Sequence, residues 1–408
     1  MRAFLACAVL LAGSFVPLIA AQSQDSSAVV PFKISIPNEI LTDLKVRLAR
    51  TRFPDELSGA GWDYGTNLDY LKQLVTYWRD RFDWRKEERR LNQWPQFKTR
   101  VDGLDIHFMH RRSAVPNALP LVMIHGWPGS FYEFTRIADR LVDPVRFGGR
   151  TEDAFHVVAV SLPGYAFSDK PRDPGFSPEK MGTIVATVMK RLGYERYGVQ
   201  GGDWGSVVGR MTALNDAPHV VGLHANFCTT GAPAGVADPN AGVPPAELER
   251  VRQRQRSMQN ELAYFQIQST KPQTLGYGLN DSPAGLAAWI VEKFRAWCDC
   301  EGDVERKFTK DDLLTNISLY WMTQTITSST RIYFENQRAG AAANSRRVTA
   351  PMACAVFPKD IVFSTRRWME AQNNLTRWTE MPRGGHFAAM EEPELLTDDI
   401  RAFFRPLR

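Results

Sequence analysis

Cysteine is scarce: Cys7, Cys228, Cys298, Cys300 and Cys354 are the only five in 408 residues. They are too few and too scattered for a disulfide framework. Cys298 and Cys300 have neither a second close pair nor a nearby histidine to make a metal site. Buried free thiols are therefore expected at the four positions beyond the N-terminal leader. Charge of one sign is equally thin. The 50 Lys and Arg against 45 Asp and Glu leave a net charge of +5, and the short runs DWRKEERR and RVRQRQR accompany no nucleic-acid motif. Those runs are expected on solvated helix faces, without a nucleic-acid partner. Repeats and low-complexity tracts are missing, which excludes a solenoid. One long apolar run occurs, FLACAVLLAGSFVPLIA, between Arg2 and Ala21. Its length of about 17 residues, broken by Gly13, Ser14 and Pro17, falls short of the roughly 20 that span a bilayer. Residues 1–21 thus read as a secretory signal, with an N-terminal membrane anchor as the alternative. Secretion, the periplasm or a secretory-pathway lumen is the expected location, and membrane association is expected only through residues 1–21.

What the chain has is apolar patterning. With 44% hydrophobic and 23% charged residues, it can bury a full core. The segments LPLVMIHGWPGS, HVVAVSLPGY and YGVQGGDWG are continuous apolar strands entering Gly-rich and Pro-rich loops. They alternate with helical patterns such as FYEFTRIADRLV and PEKMGTIVATVMKRLG, the signature of a parallel sheet covered on both faces. Before them, PNEILTDLKVRLART and LDYLKQLVTYWRDRF read as amphipathic helices, and FKTRVDGLDIHFMHRR as a hairpin turning at Asp102 and Gly103. From about Gly231 to Arg347 the pattern is helical, and the strand APMACAVFP and the segment RWTEMPRGGHF then resume the sheet. The expected architecture is an α/β-hydrolase core (116–230 and 348–408), an N-terminal extension (30–115) packed on it, and a helical cap (231–347) inserted between two late strands.

The stretch GGDWG has the spacing of a strand-to-helix nucleophile elbow with Asp203 where an esterase carries serine. Nucleophile, acid and histidine follow in that chain order in such folds. Asp360 in VFPKDIVF and His386 in RGGHFAAMEEP fall after the last two strands, where loops converge. Of the seven histidines, only His386 lies on a glycine-flanked loop after the final strand, and His125 is expected to order the loop beginning HGWPGS. A carboxylate attacking an acyl carbonyl would form a mixed anhydride, a poor exchange for ester hydrolysis. Attack at an electrophilic sp³ carbon yields an alkyl ester that histidine-activated water can cleave. A strained epoxide and a carbon–halogen bond both suit. An epoxide needs acidic donors at its oxygen, a halide needs indole or amide N–H groups. Trp204 fits the second on its face. The cap offers Tyr264 and Tyr333 for the first, with Tyr277 and Tyr320 as competitors.

The segments HGWPGS, GGDWGS, IQSTKPQTLGYGLNDSPAGLAAWIVEKF, DDLLTNISLYW and RGGHFAAMEEPELL resemble the microsomal-type epoxide hydrolases, and the likeness runs from about Pro31 to Phe404. The resemblance implies that Asp203 is the nucleophile, that Tyr264 and Tyr333 donate to the ring oxygen, and that His386 activates water. Asp360 takes the position of the acid that orients His386, where mammalian microsomal members carry glutamate. The backbone N–H groups of Trp127 and Trp204 would form the oxyanion hole. The implied substrates are a small apolar epoxide and water, the product a vicinal diol, and neither metal nor organic cofactor is called for. A haloalkane dehalogenase and an inactive carrier of hydrophobic ligands are the alternatives.

Overall fold

The computed structural model describes residues 27–233, 235–259, 261–340 and 346–408, so the leader assigned to residues 1–21 lies outside the described residues. The strands are β1 (Val29–Phe32), β2 (Gln96–Val101), β3 (Leu104–Arg111), β4 (Leu119–Ile124), β5 (Phe155–Val160), β6 (Tyr197–Gly201), β7 (Val220–Ala225), β8 (Val348–Val356) and β9 (Asn373–Glu380). They form one sheet in the order β1-β2-β3-β5-β4-β6-β7-β8-β9. Pairing is antiparallel from β1 through β3 to β5 and parallel from β5 onward. The crossover β5-β4-β6 places the ends of β4 and β6 side by side, where a doubly wound sheet opens its crevice.

The central strands are apolar throughout because both faces are covered. Successive side chains of a strand point to opposite faces, and two glycines mark what lies on each. A Cβ on Gly198 would meet Phe404 of helix Pro393–Phe404, while the neighbouring Val199 packs against Gly209 of helix Trp204–Asn215. The same alternation recurs at Gly222 and Leu223. The segment FYEFTRIADRLV is tighter than a plain helix: a 3₁₀ turn over Phe131–Arg136 and a short helix over Ala138–Val142. Ser130 caps the first of these through its side chain.

Between β7 and β8 stand, among the described residues, six α-helices, Pro245–Gln259, Ala263–Thr270, Pro272–Asp281, Pro283–Trp297, Lys310–Thr323 and Ile326–Ala339. The expected extension is more than a layer on the core. Its strands β1 to β3 lengthen the sheet, and its helices brace the cap. Trp78 Nε1 donates to Ser318 Oγ at 3.1 Å, Tyr77 Oη to Asp311 at 2.9 Å, and Thr66 Oγ1 to the Ala288 carbonyl at 2.8 Å.

Two expectations are corrected. The run DWRKEERR forms helix Trp84–Leu91, but its face is not wholly solvated, since Glu87 and Glu88 are buried. Glu88 Oε1 accepts from the Ile36 amide at 2.7 Å and from Trp84 Nε1 at 3.2 Å, and Arg85 pairs with Oε2 at 2.6 Å. A buried carboxylate with those donors joins helix Trp84–Leu91 to the segment between β1 and helix Asn38–Ala49. The four cysteines among the described residues are not free thiols: Cys228 pairs with Cys354, and Cys298 with Cys300. The first pair is 126 residues apart in sequence, but β7 and β8 are neighbours, with Ala225 opposite Cys354. The intervening cap hides that proximity from the sequence.

Candidate active site

Strand β6 ends at Gly201 and helix Trp204–Asn215 begins three residues later, so the chain must reverse within Gly202 and Asp203. Asp203 takes φ 51° and ψ −129°, a strained conformation for a residue with a Cβ. Close packing enforces the turn: a Cβ on Gly205 would lie 1.7 Å from the Ile124 carbonyl. The turn lifts the carboxylate into the crevice beyond β4 and β6.

Two groups meet that carboxylate. The Trp127 amide donates to Asp203 Oδ1 at 2.8 Å. His386 Nε2 lies 3.5 Å from Oδ2, and His386 Nδ1 lies 2.7 Å from Asp360 Oδ1. Asp360 Oδ1 also accepts from the Ile361 amide at 2.7 Å. On the cap side, Tyr264 and Tyr333 are buried with ring centroids 5.9 Å apart. Tyr264 stacks on Trp127 at 5.4 Å, and Tyr333 stands edge-on to Trp204 at 4.8 Å. The Tyr333 hydroxyl is buried with no hydrogen-bond partner among the described residues, and so is Trp127 Nε1. Unpaired buried donors carry a desolvation penalty, and Tyr333 lines the same cavity as Asp203.

The competing tyrosines are placed elsewhere. Tyr277 is 73% exposed, and the Tyr320 hydroxyl donates to the Gly129 carbonyl at 2.5 Å. His125 orders its own loop as expected, with Nδ1 3.0 Å from the Gly126 carbonyl and Nε2 accepting from the Leu162 amide at 3.3 Å. The Trp204 amide, at the first helical position, makes no hydrogen bond to the carboxylate, so of the two expected backbone donors only Trp127 engages it.

Electrostatics divide the groups into acids and bases. Burial works against the charged His386 ring, but the Asp360 and Asp203 carboxylates overcome it and hold the ring up to about 10. Burial, reinforced by the Asp203 charge, pushes the Tyr264 phenol far above its ordinary value. Burial does the same to Tyr333, with Tyr264 and Asp203 adding to it, so both remain proton donors. His125 is driven down to about 4 by burial and stays neutral.

A cavity of about 820 Å³ opens onto Asp203. Trp204, Tyr264, Phe265 and Tyr333 line it, as do Phe227, Met352 and Ile361. Among the described residues no cluster of three or more His, Cys, Asp or Glu could hold a metal ion.

The family model described as epoxide hydrolase N terminus matches residues 29–134, and one for the alpha/beta hydrolase fold matches residues 120–271. The chain is 41% identical to epoxide hydrolase 1 of Sus scrofa, over 94% of this chain and 90% of that one. It is 40% identical to juvenile hormone epoxide hydrolase 2 of Ctenocephalides felis, over 91% and 84%. The chain belongs to the epoxide hydrolase family. Among solved structures, the juvenile hormone epoxide hydrolase of Bombyx mori superposes with a TM-score of 0.86 at 33% identity, covering 93% of this chain and 95% of that one. The Aspergillus niger epoxide hydrolase gives 0.83 at 34%, covering 93% and 97%.

Sequence reasoning missed the groups that hold this epoxide hydrolase site together. Glu391 accepts from the amides of Asp299 (2.8 Å), Gly385 (3.0 Å) and Phe387 (2.9 Å), pinning the His386 loop from below. Burial raises its carboxyl to about 7 against those donors. Trp297 packs edge-on to the His386 ring at 5.1 Å, and its carbonyl accepts from the His386 amide at 2.9 Å. Glu133 has its carboxyl where a Cβ on Gly129 would sit, and burial raises it to about 8. A glutamate four residues beyond Gly129 was the available signal for the last.

Proposed function

We propose that this epoxide hydrolase opens apolar epoxides in two steps through an ester on Asp203. In the first, Asp203 attacks a ring carbon while Tyr264 and Tyr333 hydrogen-bond the ring oxygen and supply a proton as the C–O bond breaks. In the second, His386 takes a proton from water that attacks the Asp203 carbonyl carbon, and the Trp127 amide stabilises the oxyanion. The tetrahedral intermediate then collapses as His386 hands the proton it took from water to the departing diol oxygen, leaving a vicinal diol and a restored carboxylate. The proton that the resting His386 gives up after alkylation returns to the phenol.

The observation that carries this reading is the placement of one carboxylate between a carboxylate-backed histidine and an unpartnered phenol, at the bottom of an apolar cavity. Charge supplies the timing. In the resting state the negative Asp203 helps to keep His386 protonated. Alkylation turns Asp203 into a neutral ester, removes that support 3.5 Å away, and so lowers the ring from about 10, with Asp360 still holding it up. Histidine becomes a base at the step that needs one. Asp360, hydrogen-bonded to Nδ1, fixes the tautomer that leaves Nε2 free.

The unpaired indole N–H of Trp127 is what a departing halide would use, but two buried phenols kept protonated favour an alkoxide-like leaving group. An inactive carrier would have no use for an ion-paired histidine beside a strained aspartate. Pairing of all four cysteines among the described residues supports maturation in an oxidising compartment, in keeping with secretion after removal of residues 1–21.

A single turnover with styrene oxide in heavy-oxygen water, followed by peptide mass analysis, tests the mechanism. Label in the Asp203 carboxylate together with diol supports it. Diol without label in Asp203 overturns the ester route.

A further inference from the structure

The loop that carries His386 leans on a segment of the cap that belongs to no regular element. Helix Pro283–Trp297 stops at Trp297, and Cys298 is already extended, at φ −87° and ψ 159°. The carbonyls of a helix's last turn have no partner within the helix. That of Trp297 accepts instead from the His386 amide at 2.9 Å. Two residues on, Asp299 makes two more hydrogen bonds to the same loop and its support. Its carboxylate accepts from the Gly384 amide at 2.9 Å, and its own amide donates to Glu391 at 2.8 Å. The fit is close, since a Cβ on Gly385 would lie 2.6 Å from the Trp297 carbonyl oxygen and 2.8 Å from the Asp299 amide nitrogen. These three hydrogen bonds need residues 297–299 in one conformation, yet neither helix nor sheet continues through residues 298–300. What closes the segment is the bond between Cys298 and Cys300, one on either side of Asp299. A cross-link around a single residue leaves it little backbone freedom, so the amide and carboxylate of Asp299 are already aimed when the histidine loop packs against them. Precision matters here. His386 must present Nδ1 to Asp360 at 2.7 Å while Nε2 lies 3.5 Å from Asp203, and a displacement of about 1 Å is enough to spoil such an arrangement.

We propose that Cys298 and Cys300 are positioning residues for His386: their disulfide fixes Asp299, and through it the histidine loop, in the arrangement that water activation requires. This rests on the ester reading above and concerns its second step. Alkylation, which needs the carboxylate on the β6 elbow and no base, is indifferent to the bond.

The test follows single turnovers of styrene oxide on the full mature enzyme and on Cys298→Ala, Cys300→Ala and the double variant. Each substitution breaks the same bond, so each is expected to slow ester hydrolysis by roughly tenfold to a hundredfold, with alkylated Asp203 accumulating and alkylation at the wild-type rate. The double variant should be no slower than either single one, because one interaction cannot be lost twice. Losses that add in the double variant, or that fall on both steps in proportion, are what two separately packed side chains would give, and they overturn the proposal. Asp299→Ala keeps the bond but removes the Gly384 contact, so it decides the matter even where a cysteine variant does not fold: slowed hydrolysis with unchanged alkylation supports the proposal, and wild-type hydrolysis overturns it. The far-downfield proton resonance of the hydrogen bond from His386 Nδ1 to Asp360 reads the same positioning without turnover, and should broaden or vanish in the cysteine variants. If no ester forms on wild-type Asp203 but that resonance depends on the bond, the positioning stands and the two-step reading falls. If the ester forms, and resonance and hydrolysis both survive loss of the bond, the positioning falls alone.

Discussion

At the scale of single residues, the difference from an esterase is one side chain at one strained turn. Asp203→Asn should lower turnover by at least about 10³-fold, because an amide is a poor nucleophile, while leaving binding of unreactive analogues intact. His386→Gln should instead trap the ester: alkylated Asp203 accumulates and diol release stops, as read by intact-protein mass. The two steps should also separate in pH. Ester hydrolysis needs neutral His386, whose support from Asp203 is lost on alkylation while that from Asp360 remains, so its rate should rise with pH across a window below about 10, where the ring is held before alkylation. Alkylation should be nearly flat across that window. Stopped-flow fluorescence of the tryptophans beside the site would resolve them. Glu133 makes a stability prediction. Burial, with Asp203 adding and His386 opposing, lifts its carboxyl from 4.5 to about 8. The folded state thus holds a proton that the unfolded chain has released, and the stability it brings at low pH is lost as pH climbs from about 4.5 through about 8. Glu133→Gln should remove this slope. Denaturant unfolding at pH 5 and pH 8 should show the wild type losing ground to the variant, by up to about 1.4 kcal/mol per unit crossed.

At the scale of elements, what the sequence made legible was periodicity. The apolar runs of β4, β5 and β6, the turn at Asp102 and Gly103, and the chain order of Asp203, Asp360 and His386 could all be read because each is a local pattern with a local cause. What escaped was set by partners distant in sequence. The run DWRKEERR reads as a solvated face, yet Glu88 is drawn inward by the Ile36 amide, 52 residues away. Glu391 looks like one more acid in a helical stretch until the three amides around it are seen. Trp204 fills the position of an oxyanion donor in the motif, but its amide does not reach the carboxylate in this resting arrangement. Glu88→Ala tests the hidden joint. It strands the Ile36 amide and the Trp84 indole and leaves Arg85 unpaired, so unfolding free energy should drop by roughly 2 to 4 kcal/mol in urea titrations.

At the scale of the whole molecule, cap, core and extension are stitched rather than hinged. Asn316 Nδ2 and the Tyr320 hydroxyl of the cap donate to the carbonyls of Pro128 and Gly129 in the loop that carries Trp127, at 2.8 and 2.5 Å. The cap also holds the histidine loop through the Trp297 carbonyl. The Cys228 to Cys354 link closes the 126-residue excursion that contains the cap, the sort of long loop whose closure is worth on the order of 4 to 5 kcal/mol in the chain-entropy treatment. A thiol titration of the denatured, unreduced mature protein should find no free thiol, and reduction should bring unfolding to lower urea. Four titratable thiols would restore the reading that scattered cysteines suggest.

The carbonyl of Trp297 has one more consequence. Because the last residue of helix Pro283–Trp297 grips the amide of His386, the histidine proposed to activate water, the roof cannot lift without disarming the room below. The cavity is also walled by the 229–233 segment, by Met258 of helix Pro245–Gln259 and by Met369 of helix Arg366–Gln372, so with the roof held, molecules should be admitted by their girth. Slender, linear guests should thread in and out quickly, whereas a branched one of equal volume and equal reactivity should be held up at the doorway.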